Sequence, residues 1–310
     1  RDTDLTAAAE SIASGTGQRF LREKQWQWFS AVNTQIACGG TLLDAGYASV
    51  VFLWVFDRTT RQMIADAADF LPPFSVEIDN NPGPGGGAKL RGLRRTFTIE
   101  RDSDLLTIDI ADGSLRMQLE VDTEATPTAT AIAPVDHGDT EARGVRLTQK
   151  QNCLPVRGRV CVDGRSFRFG GDSVAMLDYT HGLLEREVSR RWSMAGGVLD
   201  DGTPIGFNFV EGSTEHNGLE NVVWMGETLQ PTSEVSIDFK ESRPADPWDL
   251  RSEDGAIDLS LYVEGLRDHE RNFRIVTSDY IQPMGRWHGR VIDREVHDLF
   301  GIAEQHHVKW

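Results

Sequence analysis

The sequence predicts an all-β protein: two antiparallel β-barrels or sandwiches packed together, preceded by a short N-terminal helix or arm. Three observations predict it. Apolar and polar residues alternate over many short segments, the period of a strand with one covered face. Tight-turn dipeptides, Asp112-Gly113, Asp163-Gly164 and Asp201-Gly202, stand between such segments, where a hairpin needs residues that tolerate positive φ. Between residues 30 and 290 no apolar pattern sustains a helical period.

Composition bounds the answer further. The 310 residues are 39% hydrophobic, enough for one large core or two ordinary ones. Against 48 acidic residues stand 32 basic ones, and the net charge of -16 repels phosphate backbones and anionic lipid surfaces, so no nucleic-acid partner is expected. The longest apolar run, Ala48 to Phe56, is strand-sized and far short of the ~20 residues of a membrane span. Cys38, Cys153 and Cys161 are an odd number at spacings that match neither a zinc site nor C-x-x-C. They read as reduced, small apolar core residues, which favours the cytoplasm. The chain opens on Arg1 without a charged-then-apolar leader, and a leader already removed or lying outside this sequence leaves export open.

Taken in order, Asp4 to Lys24 is polar and small, with Asp2, Thr3 or Asp4 as N-cap, and reads as the short helix or arm. Tyr47 to Asp57 is β-branched, aromatic and too apolar to alternate, as expected of a central strand covered on both faces; Tyr47 at its head joins the substrate-binding candidates. Pro82 to Ala88 (PGPGGGA) marks a flexible loop. A meander follows, with Phe97, Ile99, Leu106, Ile108 and Ile110, then Leu115, Met117, Leu119 and Val121, on one face. Thr123 to Gly144 loses the period and gains Pro, Thr and Ala, so we expect a first domain over 1–130, a connection at 131–145, and a second domain over 146–310 carrying the site. Further strands are expected at Arg159–Val162, Phe167–Phe169, Arg191–Met194, Ile205–Phe209, Asn221–Met225, Glu234–Lys240, Ala256–Val263 and Arg274–Ile281. No strict sequence repeat is present, so any two-fold relation between the halves is architectural.

Candidate chemistry concentrates between Asp178 and Trp224. Asp178, His181 and Gly182 form a turn-like D-x-x-H-G, in which a carboxylate can orient or charge an imidazole. Against this stands an ordinary Asx-type turn with an exposed histidine. Trp192 and Met194 share one strand face and Arg191 and Ser193 the other; an inward Arg191 would hold a carboxylate or clamp a substrate oxygen, an outward one is a solvated charge. Asn208 points opposite to Phe207 and Phe209. Glu220 and Asn221 introduce a strand ending in Trp224, and a buried Glu220 without a partner would serve as a neutral acid. Trp192 and Trp224 are cavity walls or plain core. His306 and His307 are adjacent and so point oppositely on a strand; no H-E-x-x-H or H-x-H cluster occurs, and no metal is expected. G-x-G-x-x-G, a phosphate loop with its lysine, and G-x-S-x-G are all missing, so no nucleotide cofactor or serine-hydrolase elbow is expected.

With these residues in view, the chain resembles a bacterial family known as domain of unknown function 2804. The likeness runs through REKQWQWF (Arg22 to Phe29), DAGYASVVFLWVFDR (Asp44 to Arg58), LTQK (Leu147 to Lys150), D-x-x-H-G with RRWSMA, DDGTPIGFNFVEG, LENVVW and the terminal FGIAEQHHVKW. More distantly it resembles the carotenoid hydratase, tocopherol cyclase and fungal Diels-Alderase group, through Asp178, Gly182 and Trp192. It departs from that group by placing His181 before the glycine. The resemblance implies paired lipocalin-like barrels and cofactor-independent, proton-initiated addition or cyclisation of apolar molecules.

The function expected from all this is hydration, isomerisation or cyclisation of a hydrophobic small molecule, with no cofactor. Asp178 or Glu220 would donate the proton and His181 relay it; Arg191, Asn208, Asn221 and Tyr47 would contact the substrate, and Trp192 and Trp224 would stabilise cationic character. The rivals are a non-catalytic carrier of a lipid or pigment, and a carbohydrate-active protein with paired carboxylates. Convergence of Asp178, His181 and Glu220 on one cavity separates the first reading from the second.

Overall fold

A computed structural model describes residues 20–92, 95–135, 144–212, 220–272 and 277–310. Residues 20–22 form one helical turn, and the rest of the expected arm before it lies outside the described residues. Every strand pairing is antiparallel, as expected of segments joined by tight turns. The first sheet holds β1 (Glu23–Val32), β2 (Ile36–Asp44), β3 (Ser49–Asp57), β4 (Gln62–Leu71), β5 (Val76–Ile78), β6 (Gly87–Leu90), β7 (Thr96–Asp102), β8 (Leu105–Asp112), β9 (Leu115–Asp122), β10 (Ala129–Val135), β11 (Gly144–Val162), β12 (Arg165–Phe169) and β13 (Val174–Leu183). The second holds β14 (Glu187–Val198), β15 (Pro204–Val210), β16 (Val222–Met225), β17 (Thr228–Pro231), β18 (Val235–Asp238), β19 (Trp248–Ser252), β20 (Ile257–Asn272), β21 (Thr277–Val291) and β22 (Arg294–Lys309).

The strand orders are β4-β3-β2-β1-β13-β11-β9-β8-β7-β6-β5 and β17-β16-β15-β14-β22-β21-β20-β19-β18. Both follow one rule: a four-strand meander whose first strand pairs with the last strand of the sheet. The two-fold relation is therefore one of topology. It also forces curvature. Residues 72–75 join β4 to β5, the two ends of the first order, and can span at most about 18 Å. Laid flat, the ten strand spacings between those ends would cover about 48 Å. In the second sheet, residues 232–234 join β17 to β18 across what would be about 38 Å. Each sheet must curl into a barrel-like form.

Curling gives each sheet its own interior. Phe29, Leu42, Leu53, Phe97, Ile108 and Leu154 fill the first, and Phe207, Phe209, Trp248, Leu259, Trp287 and Leu299 the second. β3 is buried on both faces because its other side meets the second sheet. A third apolar layer, including Trp28, Trp54, Phe56, Met176, Met194, Phe300 and Ile302, is the seam between the sheets.

The change of sheet falls at residues 184–186, after β13, and not at the connection expected over 131–145. Residues 129–135 and 144–150 instead pair as β10 and β11 within the first sheet, and 136–143 lie outside the described residues. Thr and Ala in strands covered on one side blurred the period that would have shown this hairpin. β11 then bulges at Asn152 and Cys153, the latter at φ 58°, and passes from β10 to β9 and β12. The bulge aims Asn152 across the seam, where Nδ2 donates to the carbonyls of Ala195 (2.9 Å) and Phe207 (3.1 Å). Gly196 and Gly206 make room for it; a Cβ on Gly206 would lie 2.6 Å from Asn152 Cγ. Among the described residues no helix is long and apolar enough to cross a membrane. Cys38 and Cys153 are buried, Cys161 is half-buried, and all three are free thiols.

Candidate functional site

The seam strands begin apolar and become polar along their length. On β13 the seam-facing sequence is Val174, Met176, Asp178, Thr180; on β22 it is Phe300, Ile302, Glu304, His306, Val308. Where the polar halves meet, a cavity of about 210 Å³ opens between the sheets. It is walled by Trp26, Trp28, Phe52 and Trp192 among other apolar side chains. The site expected in the second half of the chain is thus shared, half its wall coming from the first sheet.

Register assembles the first wall. Trp28, Asp178 and Lys150 stand in one row across β1, β13 and β11, and Trp26, Thr180 and Thr148 in the next. Lys150 Nζ lies 2.6 Å from Asp178 Oδ2, and both side chains are buried. Trp26 Nε1 donates to the same carboxylate at 3.3 Å, and Thr180 Oγ1 donates to Oδ1 at 3.3 Å with Thr148 Oγ1 2.8 Å behind it. Lys150 also sits 5.5 Å from the ring centre of Trp192, which meets Trp28 edge-on at 5.5 Å. A carboxylate so surrounded has a lysine and two further donors, one of them backed by Thr148 on the neighbouring strand.

The facing wall carries Glu304, in register with Trp192. Burial raises its carboxyl to about 7; the nearby Asp178 adds to the rise, while hydrogen bonds from Tyr280 and Gln282 and the charge of Lys150 hold it back. Gln282 Nε2 donates to Glu304 at 3.3 Å, while Gln282 Oε1 accepts from Arg267, which bonds Asp66 of β4 at 2.9 Å. A polar chain from the first sheet thus fixes the acid of the second. Burial pushes the Tyr280 hydroxyl well up and the His306 imidazole down to about 4, so both are neutral around pH 7; Ser278 Oγ lies 3.0 Å from His306 Nε2.

The residues singled out from sequence divide sharply. Asp178, Trp192 and Glu220 line the cavity, Glu220 in an ion pair with Arg146. His181 does not join them, so the convergence of Asp178, His181 and Glu220 that would favour an enzyme over a carrier is not met by these three residues. One residue out of phase with Asp178 and Thr180, it bonds Glu23 at 2.9 Å on the other face of β13. Arg191 is likewise out of phase with Trp192; it bonds Gln305, the Ile237 carbonyl and Glu211, and Arg190 faces the cavity in its place. Asn208 is buried behind the wall, accepting from Trp192 Nε1 at 2.7 Å and donating to the Glu220 carbonyl at 2.7 Å. Asn221 accepts from Val210 N, Trp224 donates to the Pro127 carbonyl in a small core, and Tyr47 packs against Lys24. None of these four lines the cavity.

Sequence reading missed Glu304, Lys150, Tyr280, Trp26 and Trp28. A signal existed: Trp26/Trp28, Arg146/Thr148/Lys150 and Glu304/His306 are all i, i+2 sets on strands, placing polar or aromatic groups on one face.

Three comparisons bear on this geometry. The chain belongs to the family described as domain of unknown function DUF2804, whose profile matches residues 3–310. No curated protein matches it by sequence. Among solved structures it is similar to kievitone hydratase from Nectria haematococca (11% identity, TM-score 0.54, covering 96% of this chain and 93% of that one). It is similar also to CghA solved with Sch210972 (9%, 0.53, 96% and 93%). A Nitrosomonas europaea protein provisionally called AttH is a third (11%, 0.52, 95% and 96%). The wider likeness noted from sequence therefore holds as a likeness of fold.

Proposed function

We propose that this protein is a cofactor-independent acid-base enzyme of hydratase, isomerase or cyclase type, acting on a hydrophobic small molecule held between the two sheets. One observation carries the reading: Glu304, raised to about 7 and so still partly protonated near neutrality, shares a tryptophan-walled cavity with the ion-paired Asp178. A carboxylic acid kept protonated in a dry site is an effective proton donor near neutrality. The donor is therefore Glu304; Asp178 and Glu220, each bound to a cation, take other parts.

In the hydratase form, the proton leaves Glu304 for one carbon of a substrate double bond and water adds to the other. The proton that the water releases passes to the Asp178 carboxylate, which Lys150 and Thr180 orient. The faces of Trp28 and Trp192 stabilise the intervening positive charge. In a cyclisation, the substrate's own π-bond replaces water, and the cation formed on the cyclised product loses a proton to the Asp178 carboxylate to give a new double bond. The volume sets a limit: about 210 Å³ lies below the ~300 Å³ at which pockets for drug-sized ligands begin, so the cavity holds a small molecule or one reacting end of a longer one. The fold shared with a hydratase supports the same reading.

The test uses an apolar extract of cells that carry the gene, incubated with the protein in heavy water. An enzyme that protonates carbon leaves a non-exchangeable deuterium in some component, detected by mass spectrometry, and Glu304→Gln abolishes it. A molecule that co-purifies with the protein and is never labelled would establish the carrier instead.

A further inference from the structure

Of the three cations among the described residues that line the cavity, two are answered by acids: Lys150 by Asp178 and Arg146 by Glu220. Arg190 is not. It makes no ion pair or hydrogen bond to any described residue, and none of its nitrogens is sealed from access. Its strand partner is His306 on β22, and the adjoining pair is Val188 with Val308. Glu185, on the segment joining β13 to β14, also lines the cavity and makes no ion pair with it.

A guanidinium without a partner in a largely apolar wall forgoes the stabilisation that a carboxylate would bring. This chain has acids to spare, 48 against 32 basic residues, and supplies them to the neighbouring cations. The neutral His306 beside Arg190 neither competes for an anion nor neutralises the arginine. Resting on the cavity reading above, we infer that Arg190 binds an anionic head group, and that the substrate is an apolar carboxylic acid or a comparably acidic molecule. The Arg190–His306 row lies one strand repeat, roughly 7 Å, from the Trp192–Glu304 row. The bond that reacts therefore sits about that far from the acid group.

The experiment compares cinnamate with cinnamamide, an apolar carboxylate and its neutral isostere, by titration calorimetry at about pH 6, where cinnamate is ionised. The acid is expected to bind wild type about tenfold more tightly than the amide or better, the scale of a charge-assisted hydrogen bond. Arg190→Gln brings the two within about twofold, while Arg191→Gln, on the other strand face, keeps the preference. Glu185→Gln leaves acid binding unchanged or tightens it. Equal affinity for the two probes, no binding of either at about millimolar concentration, or a preference that survives Arg190→Gln overturns the inference. A protein that prefers the acid yet never incorporates deuterium would keep this anion site and lose the enzyme.

Discussion

Glu304→Gln should stabilise the protein by an amount that grows as pH rises from about 4.5 and levels off above about 7. In the folded chain the Glu304 carboxyl is raised from 4.5 to about 7. Below about pH 4.5 both folded and unfolded chains hold the proton, and the residue adds no pH dependence. Between 4.5 and 7 the unfolded chain ionises while the folded one does not, so stability falls as pH rises. Above 7 the full penalty is present: 2.5 units at 1.36 kcal/mol each, roughly 3 kcal/mol. Glutamine is neutral at every pH and can still accept from Gln282. The assay is urea unfolding of wild type and variant from about pH 5 to about pH 8.5. The difference should be about 1 kcal/mol or less at the acid end and approach roughly 3 kcal/mol in the variant's favour at the alkaline end. Lys24, lowered to about 7 by burial, and His306 carry pH dependence of the opposite sense, but it is common to both proteins and cancels. A difference that stays flat with pH, or that favours wild type as pH rises, refutes the neutral acid and with it the proposed proton donor.

Asp178→Asn takes from the buried Lys150 its ion-pair partner and should cost about 3–5 kcal/mol in urea unfolding, most of it recovered when Lys150→Met is added; simple additivity of the two would count against the pair. Asn208→Ala removes two hydrogen bonds of 2.7 Å and should cost about 2–3 kcal/mol while altering the fluorescence of Trp192. Gly206→Ala sets a methyl against Asn152, breaks its bonds across the seam and should cost about 2 kcal/mol or more by the same assay; an unchanged midpoint would show that the sheets do not depend on that contact. His181→Ala, on the far face of β13, should change cinnamate affinity by less than about twofold, and a larger loss would move the site.

Much of the fold was legible because strands and hairpins are local. The meander of β7, β8 and β9, the turns at Asp112-Gly113 and Asp201-Gly202, and the doubly covered β3 all follow from period, turn chemistry and an uninterrupted apolar run. The β10–β11 hairpin was not legible, since Ala129, Ala131 and Ala133 are small enough to bury without looking like a strand face. At the site, parity was legible and direction was not. Trp192 and Arg191 were both taken as substrate contacts, yet adjacent strand residues cannot both face one cavity. Once Trp192 turns inward, Arg190 follows it and Arg191 is excluded.

What the sequence determined by itself, then, is which residues form strands, which share a face, and where the chain turns, because each depends on neighbours a few residues away. Which faces confront each other was decided only by tertiary closure. The four-residue link at 72–75 and the three-residue link at 232–234 curl the two sheets, and their seam brings Asp178 and Lys150 opposite Glu304. That meeting, and the burial that raises Glu304 to about 7, depend on segments far apart in sequence, so no local pattern could have announced them.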